Sequence, residues 1–180
     1  MIVTIGAPAT AGLVLLGYTL DPRTGFGDDF QGYFCWLVDI IREWPLKEVL
    51  EFDEVKKRCQ RFLDEQESYL EWLKQNCRLQ DNVIITDMRE AVNVPVGNRF
   101  LVYTLFPEAN VEVRLVRGLK NNIALIVGRS IFNKTCRVNI GEMLSHYGGG
   151  GHEGAGTCQV LPAHVDYVLK EIIDRLSENR

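Results

Sequence analysis

Apolar residues step by three and four along residues 52–77: Phe52, Val55, Cys59, Phe62, Gln66, Tyr69, Leu73 and Cys77 share one stripe, with charged residues between them. That spacing matches the helical period and predicts one long amphipathic helix. A stripe this narrow is packing surface, suited to a connector between two lobes or to a dimer seam. A second helical pattern begins at Phe30, carries Phe34, Leu37, Val38 and Ile41, and stops at Trp44-Pro45, because proline disfavours helical geometry in the residue before it. Residues 1–20 contain no charged side chain. Gly6, Pro8, Gly12 and Gly17 interrupt them, and no Lys or Arg precedes the apolar part, unlike a secretory signal or a membrane span. The pattern predicts a buried helix over 9–16 feeding a buried strand over 17–21. A homodimer is the economical way to cover so apolar a segment.

Past Gln80 the pattern changes. Residues 82–87 and 111–116 read as strands, 123–127 is a continuous apolar run, and the polar stretch 117–122 between the last two predicts a hairpin. Helices are expected over 98–106, between Pro95 and Pro107, over 138–147, and over 162–176, where Pro162 stands at an early helical position. Residues 158–161 read as a short strand. The fold class is α+β, with a compact mixed-sheet domain from about residue 80.

Composition places the 180 residues among ordinary globular proteins: 46% hydrophobic, 24% charged, 6 prolines. A net charge of −4 argues against coating duplex nucleic acid, since such proteins are usually basic. Five scattered cysteines without CxxC spacing suggest neither a disulfide framework nor a zinc site. A reducing, cytoplasmic setting is expected.

Candidate chemistry centres on residues 148–156, where Gly148, Gly149, Gly150 and Gly151 are followed by His152, Glu153 and Gly154. Glycine reaches φ > 0 without steric cost and lets a ligand approach the main chain, so successive N–H groups can form an anion-holding nest. His152 adds a side chain that is a donor in its neutral form and a double donor in its cationic form. The alternative, a flexible linker, suits poorly a run with a helix before it and a strand and helix after it. Arg129 directly follows an apolar strand, from which a guanidinium can grip phosphate in bidentate fashion; Ser130 adds a hydroxyl. Lys134, Arg137, His146 and His164 read as surface residues.

Gly128-Arg129-Ser130, then Val138 to Tyr147, then the glycine run resemble the signature of the DHH-associated domain, the C-terminal substrate-binding domain of DHH-family phosphoesterases. That family includes oligoribonucleases, phosphoadenosine phosphatases, exopolyphosphatase-related proteins and, more distantly, single-strand exonucleases. The likeness covers about residues 82–176. It implies that Gly149, Gly150, Gly151 and His152 hold the phosphate or sugar end of a substrate, with Arg129 and Ser130 in a second substrate-binding motif. Upstream, residues 9–21 are similar to the last metal-ligand motif of the catalytic DHH domain, which makes Asp21 a candidate remnant ligand. The chain has no Asp-His-His and no Asp-x-Asp, and its three histidines lie beyond residue 140. A two-metal phosphoesterase needs several carboxylates and imidazoles, so no complete catalytic set is expected here. Mn²⁺ or Mg²⁺ is implied for the complete family enzyme and none for this chain alone. The resemblance divides the chain into a remnant of an α/β catalytic domain (1–50), a connector helix (51–79) and a substrate-binding domain (80–180).

Three functions follow. The first is an inert module binding a phosphorylated small molecule or short single-stranded RNA or DNA, with no membrane involved. The second is a metal-dependent phosphoesterase active once a missing N-terminal half is supplied. The third is a dimeric interaction module.

Overall fold

The computed structural model describes residues 8–25, 27 and 29–178. Two compact units emerge: Met1–Tyr69 with Pro95–Asn98, and Leu70–Val94 with Arg99–Arg180.

The first unit is helical. It holds α1 (Pro8–Tyr18), α2 (Phe30–Glu43), α3 (Leu46–Val49), α4 (Asp53–Asp64) and the start of α5 (Gln66–Asn76). Leu16, Tyr33, Leu37, Val49, Val55 and Cys59 form its core, with Trp36 and Phe52 packed against them. The stripe from Val55 to Leu73 is buried at Val55, Cys59, Phe62, Tyr69 and Leu73. The single long helix expected over 52–77 is instead two, separated at Glu65. At the break the Gln66 side-chain amide donates to the Phe62 carbonyl (3.1 Å), a side-chain bond to the acceptor that the helical ladder would use.

The strand expected over 17–21 does not form. α1 runs to Tyr18, and the chain then turns through a 3₁₀ segment, Pro22–Gly25. Hydroxyls explain the turn: Thr19 donates to the Leu16 carbonyl (2.7 Å), Thr24 to the Asp21 carbonyl (2.7 Å), and the Tyr33 hydroxyl bonds Thr19 Oγ1 (2.7 Å). Beneath it lies Arg58, only 1% exposed. Its Nε donates to Glu54 (2.7 Å), and its guanidinium stacks 3.8 Å from the Tyr33 ring centre. Of the apolar segment expected to be covered, Leu16 and Thr19 are buried within the chain, while Leu13, Val14 and Leu20 are exposed on it; residues 1–7 lie outside the described ones. No helix among the described residues is long and apolar enough to cross a membrane.

The second unit is a six-stranded mixed sheet of β1 (Cys77–Gln80), β2 (Val83–Asp87), β3 (Val111–Arg117), β4 (Ile123–Arg129), β5 (Gly150–His152) and β6 (Ala155–Val160). Its order is β1-β2-β3-β4-β6-β5, with β2 and β3 parallel and every other pair antiparallel. Alternation puts Val83, Ile85, Val111, Val113, Leu115, Leu125 and Val127 on one face, where α7 (Ile140–Ser145) and α8 (Val165–Ser177) cover them. Val165, Val168, Leu169, Ile172, Ile173 and Leu176 supply the α8 stripe. Each such side chain, fully buried, contributes about 1.5–3 kcal/mol. The opposite face carries polar groups: Thr86 and the Arg114 Nε both donate to Glu112 Oε1 (2.6 and 2.7 Å). The β3–β4 hairpin appears as expected, with Lys120 and Asn121 left-handed (φ 53° and 64°) in its turn. The helix expected over 98–106 is a 3₁₀ turn, Arg99–Leu101, running into α6 (Val102–Leu105). β1 and β5 were not expected.

Candidate phosphate-binding site

The glycine run is neither a linker nor a single open loop. Gly148 closes α7: it is left-handed (φ +72°), its N–H bonds the Ser145 carbonyl (3.1 Å), and the Gly149 N–H bonds the Leu144 carbonyl (3.0 Å). This is the Schellman arrangement that terminates helices. Both N–H groups are thereby used internally, which removes them from the expected anion nest. The chain then enters β5, turns at Glu153 and Gly154, and returns as β6, with Gly150 opposite Thr157, Gly151 opposite Gly156 and His152 opposite Ala155.

Several of these glycines are required by close packing. A Cβ at Gly149 would meet the Cys158 Cβ at 2.5 Å, and one at Gly141, in α7, would lie 2.5 Å from the Gly151 carbonyl oxygen. Gly151 itself has φ +151°. Gly150 differs: a Cβ there meets nothing within 4 Å, and its φ is outside the left-handed region. β5 is the outer strand of the sheet, so alternate N–H groups along it face away from β6. His152, at its end, is exposed, and its side chain makes no hydrogen bond among the described residues.

Arg129 joins this hairpin to the rest of the sheet. As the last residue of β4 it donates its backbone N–H to the Gly154 carbonyl (2.9 Å). Its guanidinium donates to the Val138 carbonyl through Nε (3.2 Å) and Nη2 (2.7 Å), and to Glu153 Oε1 through Nη1 (3.0 Å). Three of the five N–H groups an arginine carries are so engaged. Glu153 also accepts the Ile140 N–H at its carbonyl (3.0 Å), fixing the start of α7, where the Asn139 side chain caps the Glu142 N–H (3.1 Å). Glu153 had no role in the sequence reading. Its only signal there was its place beside His152.

The structure therefore brings Arg129 and the Gly150–His152 strand to one end of the sheet. Ser130 is adjacent but buried, and its Oγ accepts the N–H groups of Phe132 (3.2 Å) and Asn133 (3.1 Å). A cavity of about 620 Å³ lies at the other end of the strands, near Arg89, Arg117 and Ile123. Its arginines are already paired, Arg89 with Asp87 and Arg117 with Glu90 (each 2.6 Å).

Asp21 belongs to the helical unit. Its carboxylate is gripped by Arg23 through Nη2 (2.6 Å), Nε (3.0 Å) and the backbone N–H (3.0 Å). Burial pushes its pKa up, but the Arg23 hydrogen bonds and charge outweigh that, and the net shift is downward. Among the described residues no three His, Cys, Asp or Glu side chains stand close enough to hold a metal ion. One carboxylate committed to an arginine does not fit the donor set of a two-metal centre.

No family model and no curated protein matches the sequence. Solved structures do. The fold is similar to the pGpG-specific phosphodiesterase PggH from Vibrio cholerae, with a TM-score of 0.77 and 31% identity over 92% of this chain and 58% of that one. Two more distant structures share the fold alone. One is an exopolyphosphatase-related protein from Bacteroides fragilis (TM-score 0.51, 8% identity, 84% of this chain, 45% of that one). The other is the DHH domain of a member of a ribosomal-protein family (0.58, 12%, 93% and 42%). The chain is a relative of the DHH-family phosphoesterases. It spans 58% of the length of PggH.

Proposed function

We propose that this chain is the substrate-holding portion of a DHH-family phosphodiesterase that acts on short oligonucleotides or nucleotides, and that by itself it does not hydrolyse them. The observation that carries this reading is the junction of Arg129 with the Gly150–His152 hairpin. It sets a guanidinium, an unengaged imidazole and the outward N–H groups of an edge strand at one end of a rigid sheet. Those are donors suited to a phosphate. PggH, named for its action on pGpG, supports a linear nucleotide as the ligand class. Residues 80–180 would form the substrate-binding domain, 51–79 the connector and 1–50 the catalytic remnant. Hydrolysis would then require a further polypeptide segment and Mn²⁺ or Mg²⁺. Five free thiols suit a reducing, cytoplasmic setting. The test is to titrate pGpG and inorganic phosphate into the wild type and His152→Ala, and to assay pGpG cleavage with Mn²⁺. Binding weakened by the substitution, without cleavage by the wild type, is the expected result. Cleavage by a highly purified wild type would overturn the claim of inactivity.

A second reading, a homodimer, is favoured by α2. Phe34, Val38 and Ile41 are exposed along one side of that helix, and Asp39 and Arg42, both exposed beside them, would face one another across an antiparallel two-fold pairing. Sedimentation of wild type and Val38→Glu tests it: a dimer that the substitution dissociates is expected, and a wild-type monomer at high concentration rejects it.

A further inference from the structure

We propose that Phe132 is a stacking platform for a nucleobase, and that it makes the neighbouring site select nucleotides over other phosphorylated molecules; this rests on the phosphate-binding reading given above. Phe132 lies three residues beyond Arg129, in the loop that leaves β4, and it is 53% exposed beside an exposed Ile131. Such a pair of large apolar side chains is out of keeping with the Asn133-Lys134-Thr135 stretch that follows, where polar residues meet solvent.

The loop is held, not loose. Ser130 Oγ accepts the Phe132 and Asn133 N–H groups. The Asn133 amide donates to the Glu108 carbonyl (2.9 Å), Thr135 Oγ1 donates to Asn133 Oδ1 (2.8 Å), and the Asn110 amide donates to Thr135 Oγ1 (3.0 Å). Much of the entropy cost of fixing a platform is thus already met in the free protein. Ser130 acquires a role different from direct ligand contact: its hydroxyl shapes the backbone that presents Phe132. A ring displayed three residues along the chain from Arg129 offers what proteins use to hold single-stranded nucleotides, with the backbone on cationic donors and the base on an aromatic face. Polyphosphate or a sugar phosphate would gain nothing from it.

The experiment compares adenosine monophosphate, ribose 5-phosphate and inorganic phosphate as titrants of the full chain, in wild type, Phe132→Ala, Phe132→Trp and His152→Ala. Phe132→Ala should weaken adenosine monophosphate by about 5- to 150-fold, the range of one base–aromatic stack, and leave the two base-free ligands unchanged. Phe132→Trp should keep nucleotide affinity. Equal nucleotide affinity in Phe132→Ala and wild type overturns the proposal, as does an equal loss for all three ligands. If His152→Ala weakens phosphate while Phe132→Ala changes nothing, the platform alone has failed. If His152→Ala leaves phosphate untouched, the failure lies in the phosphate site.

Discussion

Arg129 holds the Val138 carbonyl with two guanidinium N–H groups, at 2.7 and 3.2 Å. The same side chain that could meet a ligand is therefore a structural tie between the end of β4 and the segment leading into α7. Arg129→Ala should lower the thermal midpoint of the sheet unit, since hydrogen bonds of charged groups contribute about 1.5–3 kcal/mol each, net of their exchange with water. Arg129→Lys, which keeps the charge but not the fork, should recover only part of that stability. Melting curves of the three proteins check this, and identical midpoints would mean that the tie contributes nothing.

The glycines separate packing from access. Gly149→Ala and Gly151→Ala should destabilise markedly, because each would drive a Cβ into β6, and at Gly151 φ is also positive. Gly150→Ala should fold normally and reduce phosphate affinity by placing a methyl group in the open space through which a ligand would approach the main chain. Chemical denaturation and phosphate titration of the set distinguish the two roles.

Thiol chemistry offers a probe of both units. Burial pushes the Cys59 and Cys158 thiols up to about 11, so at pH 8 they are protonated as well as enclosed, whereas Cys35 is exposed on α2. Alkylation followed by mass spectrometry should label Cys35 first and leave Cys59 and Cys158 unlabelled until the chain unfolds.

Asp21 sets a pH dependence. Its folded-state pKa is depressed, so its pairing with Arg23 contributes above the unfolded carboxylate value of about 3.9 and is lost as pH falls through the folded value. The pair is partly exposed, and its effect should stay at or below about 1 kcal/mol. Asp21→Asn should be slightly less stable than wild type at pH 7, the gap closing below the carboxylate range. A gap that persists at pH 2 would assign the effect to something other than charge.

Much of the architecture was readable because it rests on periodicity. The α2 boundaries, β2, β3, β4 and the last two helices fall where the apolar spacing puts them, and the Val55-to-Leu73 stripe is buried although its helix is broken. What escaped depends on partners distant in the chain. β5 has no strand propensity of its own, being two glycines and a histidine, and it is extended because β6 pairs with it. β1 hid at the end of a helical pattern, its extension set by pairing with β2. Thr19 and Thr24 looked like strand or turn residues in isolation, and only the hydroxyl bonds around Tyr33 and Arg58 show why the chain turns there. Arg129 and Ser130 were found by position, but their engagement with Val138 and with the Phe132 backbone could not be.

The return of Pro95–Asn98 to the helical unit bears on how this protein can be dissected. Glu65 accepts the Val96 N–H (2.6 Å), Arg23 donates to the Pro95 carbonyl (3.2 Å), and Gly97 lies so close to the Tyr69 ring that no side chain would fit. Cloning from Leu70 onward would strip Val96, only 1% exposed, of the wall it rests on, and ending a clone at Tyr69 would bare the other side of the same contact. No single scission separates the units cleanly; an experimenter wanting either one alone must replace that four-residue clasp or carry both.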